Sequence, residues 1–141
     1  MVGLGILIGL LLSPPVLFPW PLNFLGILPL AGGMLLLKRC FDLFGRSNTS
    51  PDPESVPKAL ITQGPYRWVR NPIYMGFGLI QGGLALLLAS IPLLGLLPIY
   101  LLLVHAWFVI REERVLEERF GEEYRAYRKT VPRWLPRRPT R

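Results

Sequence analysis

Apolar residues are concentrated in four blocks of the chain, which short polar or proline-containing connections separate. The blocks cover residues 2–12, 24–37, 73–89 and 92–110. A helix that crosses a bilayer needs about 20 consecutive apolar residues, within a range of about 17–25. The third and fourth blocks meet this requirement and contain no formal charge, and the second meets it together with its flanks. The pattern therefore predicts an all-α, polytopic membrane protein with about four transmembrane helices.

The first block is short, because Ser13, Pro14 and Pro15 follow it. It either continues through the next apolar residues with a proline kink or forms a re-entrant segment. It lacks the basic start and the small-residue cleavage site of a signal peptide. We therefore expect two N-terminal membrane segments within residues 1–41.

The ends of the later helices can also be predicted. Asn71 is a good N-cap and Pro72 fits the first turn, so the third helix is predicted to start there. Past Trp107 apolar residues continue at helical spacing, which predicts a helix that emerges from the membrane and breaks at Gly121. We expect one domain, residues 1–141, with a cytoplasmic loop (42–71), a transmembrane hairpin (72–110) and a cytoplasmic tail (111–141).

The positive charges predict how the chain is oriented. The net charge is +7, and all 16 Lys and Arg residues lie either between the second and third blocks or after the fourth. Such an excess is typical of cytoplasmic segments, so the loop and the tail are predicted to face the cytoplasm. The charge is explained by orientation and by contact with anionic lipid headgroups, and we expect no nucleic-acid partner. Arg133 beside Trp134 is predicted to anchor the tail at headgroup level.

Cysteine and histidine are too scarce for several kinds of site. Cys40 is the single cysteine, which excludes an internal disulfide. Together with the single histidine, His105, it does not supply the spacing of a metal site, so we expect no metal.

Two adjacent carboxylates occupy positions where leucine would be expected. Glu112 lies on the apolar stripe of its helix, and Glu113 shares a side with Val109 and Leu116. A carboxylate in apolar surroundings is costly without a partner, so at least one should face an arginine, a polar ligand or a cation. The alternative is pairing on the helix surface, in which Glu113 and Glu117 are matched by neighbouring arginines.

His105 lies on the same helix face as Glu112, about 10 Å away along the axis. An intramembrane histidine is a candidate functional residue. The alternative is a structural histidine that bonds to a backbone carbonyl.

The loop before the third helix carries a second group of candidates. Arg70 precedes the helix start, where exposed N–H groups also favour an anion. Tyr66 and Tyr74 can stack on a flat ligand or bond to it, although aromatic residues at a membrane interface need no ligand. Gly76 either allows close helix packing or lets a ligand approach the backbone.

These elements follow one another in a recognisable order. The chain reads Gly-Pro-Tyr-(x)3-Arg-Asn-Pro-(x)-Tyr-(x)-Gly, then an apolar hairpin, then Glu-Glu-(x)2-Leu-(x)3-Phe-Gly-(x)2-Tyr-(x)2-Tyr, then Val-Pro-Arg-Trp-Leu-Pro. It resembles the integral-membrane methyltransferases related to isoprenylcysteine carboxyl methyltransferase and phospholipid N-methyltransferase. The resemblance covers residues 60–136. It differs at Asn71, where the eukaryotic pattern has histidine and bacterial relatives have asparagine.

The resemblance implies a cytoplasmic pocket for S-adenosyl-L-methionine, closed by the helical tail. The positions that match the family's cofactor-binding residues are Tyr66, Arg70, Asn71, Pro72, Tyr74, Gly76, Glu112 and Glu113. We assign Arg70, His105 and Glu112 to catalysis, because an amine or hydroxyl acceptor would need His105 or a glutamate to take its proton.

The resemblance further implies methyl transfer to a lipophilic or lipidated substrate. We favour O-methylation of an isoprenylcysteine-like carboxylate, with N-methylation of a phospholipid or other lipid amine as the alternative. Membrane lipids are the other expected partners, and the expected location is the bacterial inner membrane, with several spans. Two other classes stay open: a non-enzymatic membrane scaffold or transporter subunit, and a membrane reductase with an altered nucleotide pocket. The sequence carries no indication of the oligomeric state.

Overall fold

The computed structural model describes residues 21–50, 55 and 57–135. Four helices and no strand occur within these residues. They are α1 (Ile27–Arg46), α2 (Pro72–Leu87), α3 (Ile91–Phe120) and α4 (Glu122–Thr130), and a 3-10 turn, Leu22–Gly26, leads into α1. The prediction of an all-α fold is confirmed for this part of the chain. The first apolar block lies outside the described residues.

Helices α1 and α2 cross at unusually short distance, because glycines face each other on both helices. A Cβ atom added at Gly33 would lie 2.6 Å from the carbonyl oxygen of Gly76, and one added at Gly83 would lie 2.6 Å from the amide nitrogen of Leu30. Small residues are what permits such backbone contact between membrane helices. Of the two roles open for Gly76, the structure therefore shows the packing role.

The hairpin of α2 and α3 turns at Ala89 and Ser90. Ala89 adopts a positive φ of 48°, and the Ser90 hydroxyl caps α3 by accepting a hydrogen bond from the Leu93 amide at 3.4 Å. Farther along, the Tyr100 hydroxyl donates to the backbone carbonyl of Tyr74 at 3.1 Å. The Tyr100 bond holds the middle of α3 against the start of α2.

Helix α3 is continuous from the apolar region into the charged region. It contains Pro98 and a π-helical stretch, Val104–Val109, and it continues to Phe120. Gly121 separates α3 from α4 with a φ of 52°, which glycine adopts without strain. The predicted continuation of this helix past Trp107 and its break at Gly121 are thus observed.

Two helices are long and apolar enough to cross a membrane, Leu22–Arg46 and Ile91–Phe120. Helix α2 has 16 residues and would extend about 24 Å, which is shorter than a hydrocarbon core of about 30 Å. Large apolar side chains such as Leu28 and Leu102 are exposed on these helices, as expected for surfaces that face lipid. Two of the four predicted spans are therefore supported by length and composition, while α1 extends five residues farther into the predicted loop, to Arg46, than expected.

Candidate functional site

A cavity of about 370 Å³ lies where the end of α1, the start of α2 and the charged segments of α3 and α4 meet. Its walls come from the end of α1, the loop that leads to α2, the first turns of α2, and the charged parts of α3 and α4. Ligand sites for small molecules have volumes of about 300–1,000 Å³, so the cavity is large enough for one. Aromatic walls are provided by Phe41, Phe44, Tyr66, Tyr74, Phe77, Tyr124 and Tyr127.

Glu113 holds the three segments of the site together. It is buried, and its Oε1 lies 2.8 Å from Nη1 of Arg70. Arg133 reaches the same carboxylate with two bonds, Nε to Oε1 at 2.9 Å and Nη2 to Oε2 at 2.7 Å. Bidentate pairing of this kind is strong and geometrically specific. Glu113 thus has its charge matched by two arginines and connects α3 to the loop and to the tail.

Further hydrogen bonds tie the tail to the loop. The Arg70 amide donates to the Pro132 carbonyl at 2.9 Å, and the Tyr127 hydroxyl donates to the Tyr66 carbonyl at 2.7 Å. Asn71 occupies the N-cap position of α2, but its side chain makes no capping bond and donates instead to the Arg133 carbonyl at 3.2 Å. The expected capping bond is therefore absent. The Asn71 side chain is instead oriented by the hydrogen bond from its Nδ2 to the tail.

Glu112 faces the cavity and has a different environment. Within the described residues it forms no ion pair, and the Tyr74 hydroxyl is its hydrogen-bond partner. The ten residues from Arg111 to Phe120 include seven charged ones, so we expect this part of α3 to lie outside the membrane. Burial raises the pKa of the Glu112 carboxyl to about 7; the bond from Tyr74 opposes this effect and the neighbouring charge of Glu113 adds to it.

Tyrosines and an arginine complete the polar surface of the cavity. Burial raises the pKa of the Tyr66 phenol, and Cys40 and Glu112 raise it further, so Tyr66 stays neutral and can donate a hydrogen bond. The Nε atom of Arg70 is buried and has no hydrogen-bond partner among the described residues. An arginine N–H without a partner at a cavity can donate a hydrogen bond to an anionic group of a ligand.

The structure brings together most of the residues that the sequence singled out. Six of them line the cavity: Tyr66, Arg70, Asn71, Tyr74, Glu112 and Glu113. Pro72 is buried at the start of α2, and Gly76 contacts Leu37 on the α1 side, so neither belongs to the cavity lining. His105 also lies outside it: its ring packs 6.1 Å from that of Trp134, and its Nδ1 is buried without a partner in the described region.

Sequence reasoning missed the role of Arg133. We expected a headgroup anchor at this position, and the structure shows a half-buried ion-pair partner of Glu113. The signal was present in Glu113 itself, since a carboxylate on an apolar stripe needs a cation. The alternative of surface pairing is wrong for Glu113, and Glu117 pairs with Arg125 and Arg128 of α4.

An apolar groove of about 420 Å³ adjoins the cavity. It runs between α2 and α3 at the level of the membrane helices and shares Tyr74 and Phe77 with the cavity. Gln81 is its main polar residue, and its amide donates to the Leu93 carbonyl at 3.4 Å.

Fold and site together define an all-helical membrane protein with a polar cavity at one end of its apolar helices. A sequence profile of the phospholipid methyltransferase family matches residues 22–123, so the chain belongs to that family. The suspected relation to integral-membrane methyltransferases is thereby confirmed.

Two curated relatives match parts of the chain. One is the protein-S-isoprenylcysteine O-methyltransferase of Schizosaccharomyces pombe, which is 35% identical over 77 residues. That segment is 55% of this chain and 33% of the relative. The other is an uncharacterized protein of Haemophilus influenzae, 46% identical over 37 residues, or 26% of this chain and 59% of the relative. No solved structure gives a significant match.

Proposed function

We propose that this protein transfers a methyl group from S-adenosyl-L-methionine to a lipophilic acceptor at the cytoplasmic face of the membrane. Membership of the phospholipid methyltransferase family supports the reaction class. The observation that carries the proposal is the cavity. It is lined by Glu112, a partly buried carboxylate that forms no ion pair in the described part of the chain, and by Arg70, whose Nε has no hydrogen-bond partner there.

The donor set of the cavity suits this cofactor. Glu112 would take the cationic groups or the ribose diol, and Arg70 would take the α-carboxylate. Tyr66, Tyr74 and Phe44 provide flat walls for adenine. The cofactor supplies a methyl group on a sulfonium, which is electrophilic and needs only an aligned nucleophile. The protein's residues accordingly bind, orient and exclude water.

The Glu113 ion pairs have a positioning role in this proposal. Arg70 is fixed by Glu113 through Nη1, and its Nε is buried without a hydrogen-bond partner among the residues that the structure describes. Arg133 carries the tail onto the same carboxylate, and we expect the tail to close the cavity on that side. Closure by the tail reduces the access of water to the reacting groups.

The acceptor would enter from the bilayer through the apolar groove between α2 and α3. Its reacting group would pass Tyr74 and Phe77, which belong to both the groove and the cavity. A carboxylate acceptor needs no general base, which agrees with the position of His105 outside the cavity lining. The similarity to an enzyme named protein-S-isoprenylcysteine O-methyltransferase favours such an acceptor. A lipid amine is the alternative, with Glu112 as the group that takes its proton.

We further propose several spans, with the site facing the cytoplasm of the bacterial inner membrane. The arrangement follows from the basic loop and tail, which carry the positive charge of the chain.

A labelled-methyl transfer assay tests the reaction. Purified protein in lipid micelles, incubated with methyl-labelled cofactor and total membrane lipid extract, should produce a label that partitions into organic solvent. Mild base should release the label as methanol if the product is an ester and should leave it in place on an amine. The Glu112→Gln variant should lose transfer, and the Glu118→Gln variant, whose residue is exposed on the same helix, should keep it. Absence of lipid-soluble label with a folded wild type would contradict the proposal.

A further inference from the structure

A separate groove of about 830 Å³ runs along α1, and it shares no lining residue with the cofactor cavity. One wall is a stripe of α1 at positions 32, 36, 39, 43 and 46, which recur at helical spacing. The other wall consists of Gly64, Pro65 and Arg67 of the 3-10 turn, the residues Trp68 and Val69, and Met75 of α2.

The α1 wall changes from apolar to basic along its length. Gly32 and Leu36 form the apolar part, and Arg39 and Arg46 follow about 10 and 21 Å from Gly32 along the helix axis. An added Cβ at Gly32 would meet nothing within 4 Å, so the glycine leaves open space in the groove. Along the helix the apolar residues come first and the arginines follow. This order matches a lipid that lies parallel to the helix, with its acyl chain at the apolar part and its headgroup at the arginines.

Three arginines line the basic end. Arg67 of the opposite wall joins Arg39 and Arg46, and none of the three forms an ion pair within residues 21–50, 55 and 57–135. Asp42 is the carboxylate in the groove, and Lys38 neutralises it at 2.9 Å. The basic end therefore keeps an uncompensated positive charge at the depth of lipid headgroups.

Trp68 adds an interfacial side chain to the same end. It is 45% exposed and lies next to Arg67, and tryptophan is enriched at the headgroup level of membrane proteins. Its position agrees with the depth that the arginines indicate.

We propose that this groove binds an anionic phospholipid of the surrounding bilayer. The phosphate lies against Arg39, Arg46 and Arg67, and an acyl chain lies along Gly32 and Leu36. The bound lipid contacts the outer side of the turn whose Tyr66 side chain lines the cofactor cavity. The inference does not depend on methyl transfer, because the two sites have no residue in common.

Charge-neutral variants test the basic end. Native mass spectrometry of the full chain in micelles with equal amounts of phosphatidylglycerol and phosphatidylcholine measures which lipid is retained. Wild type should prefer phosphatidylglycerol, and Arg39→Gln/Arg46→Gln/Arg67→Gln should lose at least about tenfold of that preference. The control Arg114→Gln/Arg119→Gln/Lys129→Gln removes the same charge from exposed positions outside the groove and should keep it.

A steric pair of variants tests the apolar end without changing any charge. Gly32→Leu fills the groove, and Gly95→Leu places the same side chain in open space on α3, away from the groove. Gly32→Leu should reduce lipid retention to the level of the triple arginine variant, and Gly95→Leu should leave it at the wild-type level. Each variant also has to retain its helical circular dichroism signal.

Four outcomes would overturn the proposal. They are a wild type without preference for phosphatidylglycerol, equal losses in the two triple variants, full retention in Gly32→Leu, and displacement of the bound lipid by water-soluble glycerol phosphate. The last result would identify a site for free phosphate esters instead of a lipid.

Discussion

Glu112 and Glu113 are neighbours in sequence, yet their carboxylates are in opposite electrostatic situations. Glu113 is matched by Arg70 and Arg133, whereas Glu112 lies partly buried beside the cavity and forms no ion pair with the other residues that the structure describes. Burial of an unmatched carboxylate destabilises the ligand-free fold. Residues that bind ligands commonly carry such a cost, because the same group becomes favourable only when the ligand is present.

The two glutamates should therefore respond oppositely to the same substitution. Glu113→Gln leaves two partly buried arginines without a counterion and should lower the stability by about 3 kcal/mol. Glu112→Gln should raise it by up to about 3 kcal/mol above pH about 7, because its pKa is raised from 4.5 to about 7 on folding. Thermal unfolding of ligand-free protein measures both changes.

The pH dependence provides the control. A carboxyl with a raised pKa in the folded state costs stability as pH rises from 4.5 to about 7. The gain from Glu112→Gln should consequently shrink toward zero near pH about 5. A gain of equal size at all pH values, or a loss, would contradict the described environment of Glu112.

Cofactor affinity should show the same titration. If the Glu112 carboxylate binds a cationic group, the ligand must displace its proton below pH about 7, which costs up to about tenfold in affinity per pH unit. Calorimetric titrations over about pH 5.5–8.5 measure this dependence. Subtracting the profile of Glu112→Gln removes the titration of the ligand, and identical profiles for variant and wild type would refute the role of Glu112.

At the scale of the helices, close contact between α1 and α2 sets the position of the loop motif. The contact requires the absence of side chains at Gly33, Gly76 and Gly83. Because α2 begins at Pro72, its alignment against α1 also determines where Arg70 and Asn71 lie.

Alanine substitutions on these helices should separate packing from intrinsic helix preference. Gly83→Ala introduces a Cβ that would lie 2.6 Å from the Leu30 amide nitrogen, so we expect a loss of about 1–3 kcal/mol. Gly95→Ala on α3 meets nothing within 4 Å and should be neutral or stabilising by up to about 1 kcal/mol. Both are measured by thermal unfolding in detergent, and equal effects would contradict the close α1–α2 contact.

Local patterns in the sequence predicted the features that local physics controls. The start of α2 at Pro72, the break at Gly121 and the continuation of α3 past Trp107 follow from proline, glycine and apolar spacing. The pairing of Glu113 with Arg133 could not be predicted, because the two residues are 20 positions apart and their contact depends on the path of the chain between them. The same holds for the Asn71 side chain, which leaves its cap for a carbonyl of the distant tail.

In the whole molecule, the loop and the tail are predicted to lie on the same side of the membrane. Their cavity is built from both, so Lys58 of the loop and Glu123 of α4 should be on the cytoplasmic side. The hairpin turn, marked by the exposed Leu88, should be on the other side.

Cysteine labelling tests this arrangement. The buried Cys40 is replaced by alanine, and Lys58→Cys, Glu123→Cys and Leu88→Cys are introduced singly. A membrane-impermeant maleimide should label the first two in inside-out vesicles and Leu88→Cys in right-side-out vesicles. Labelling of Lys58→Cys and Leu88→Cys from the same side would contradict a hairpin that crosses the membrane.

Isothermal titration calorimetry on detergent-stable protein measures whether the cavity beside Glu112 binds S-adenosyl-L-methionine. We predict saturable binding at one site per chain. Glu112→Gln should bind at least about tenfold more weakly, because a charged hydrogen bond contributes about 1.5–3 kcal/mol. Glu118→Gln should bind with the affinity of the wild type. NADPH, titrated in parallel, should not bind. The absence of heat from the cofactor with folded wild-type protein, or equal affinities for wild type and Glu112→Gln, would contradict the account.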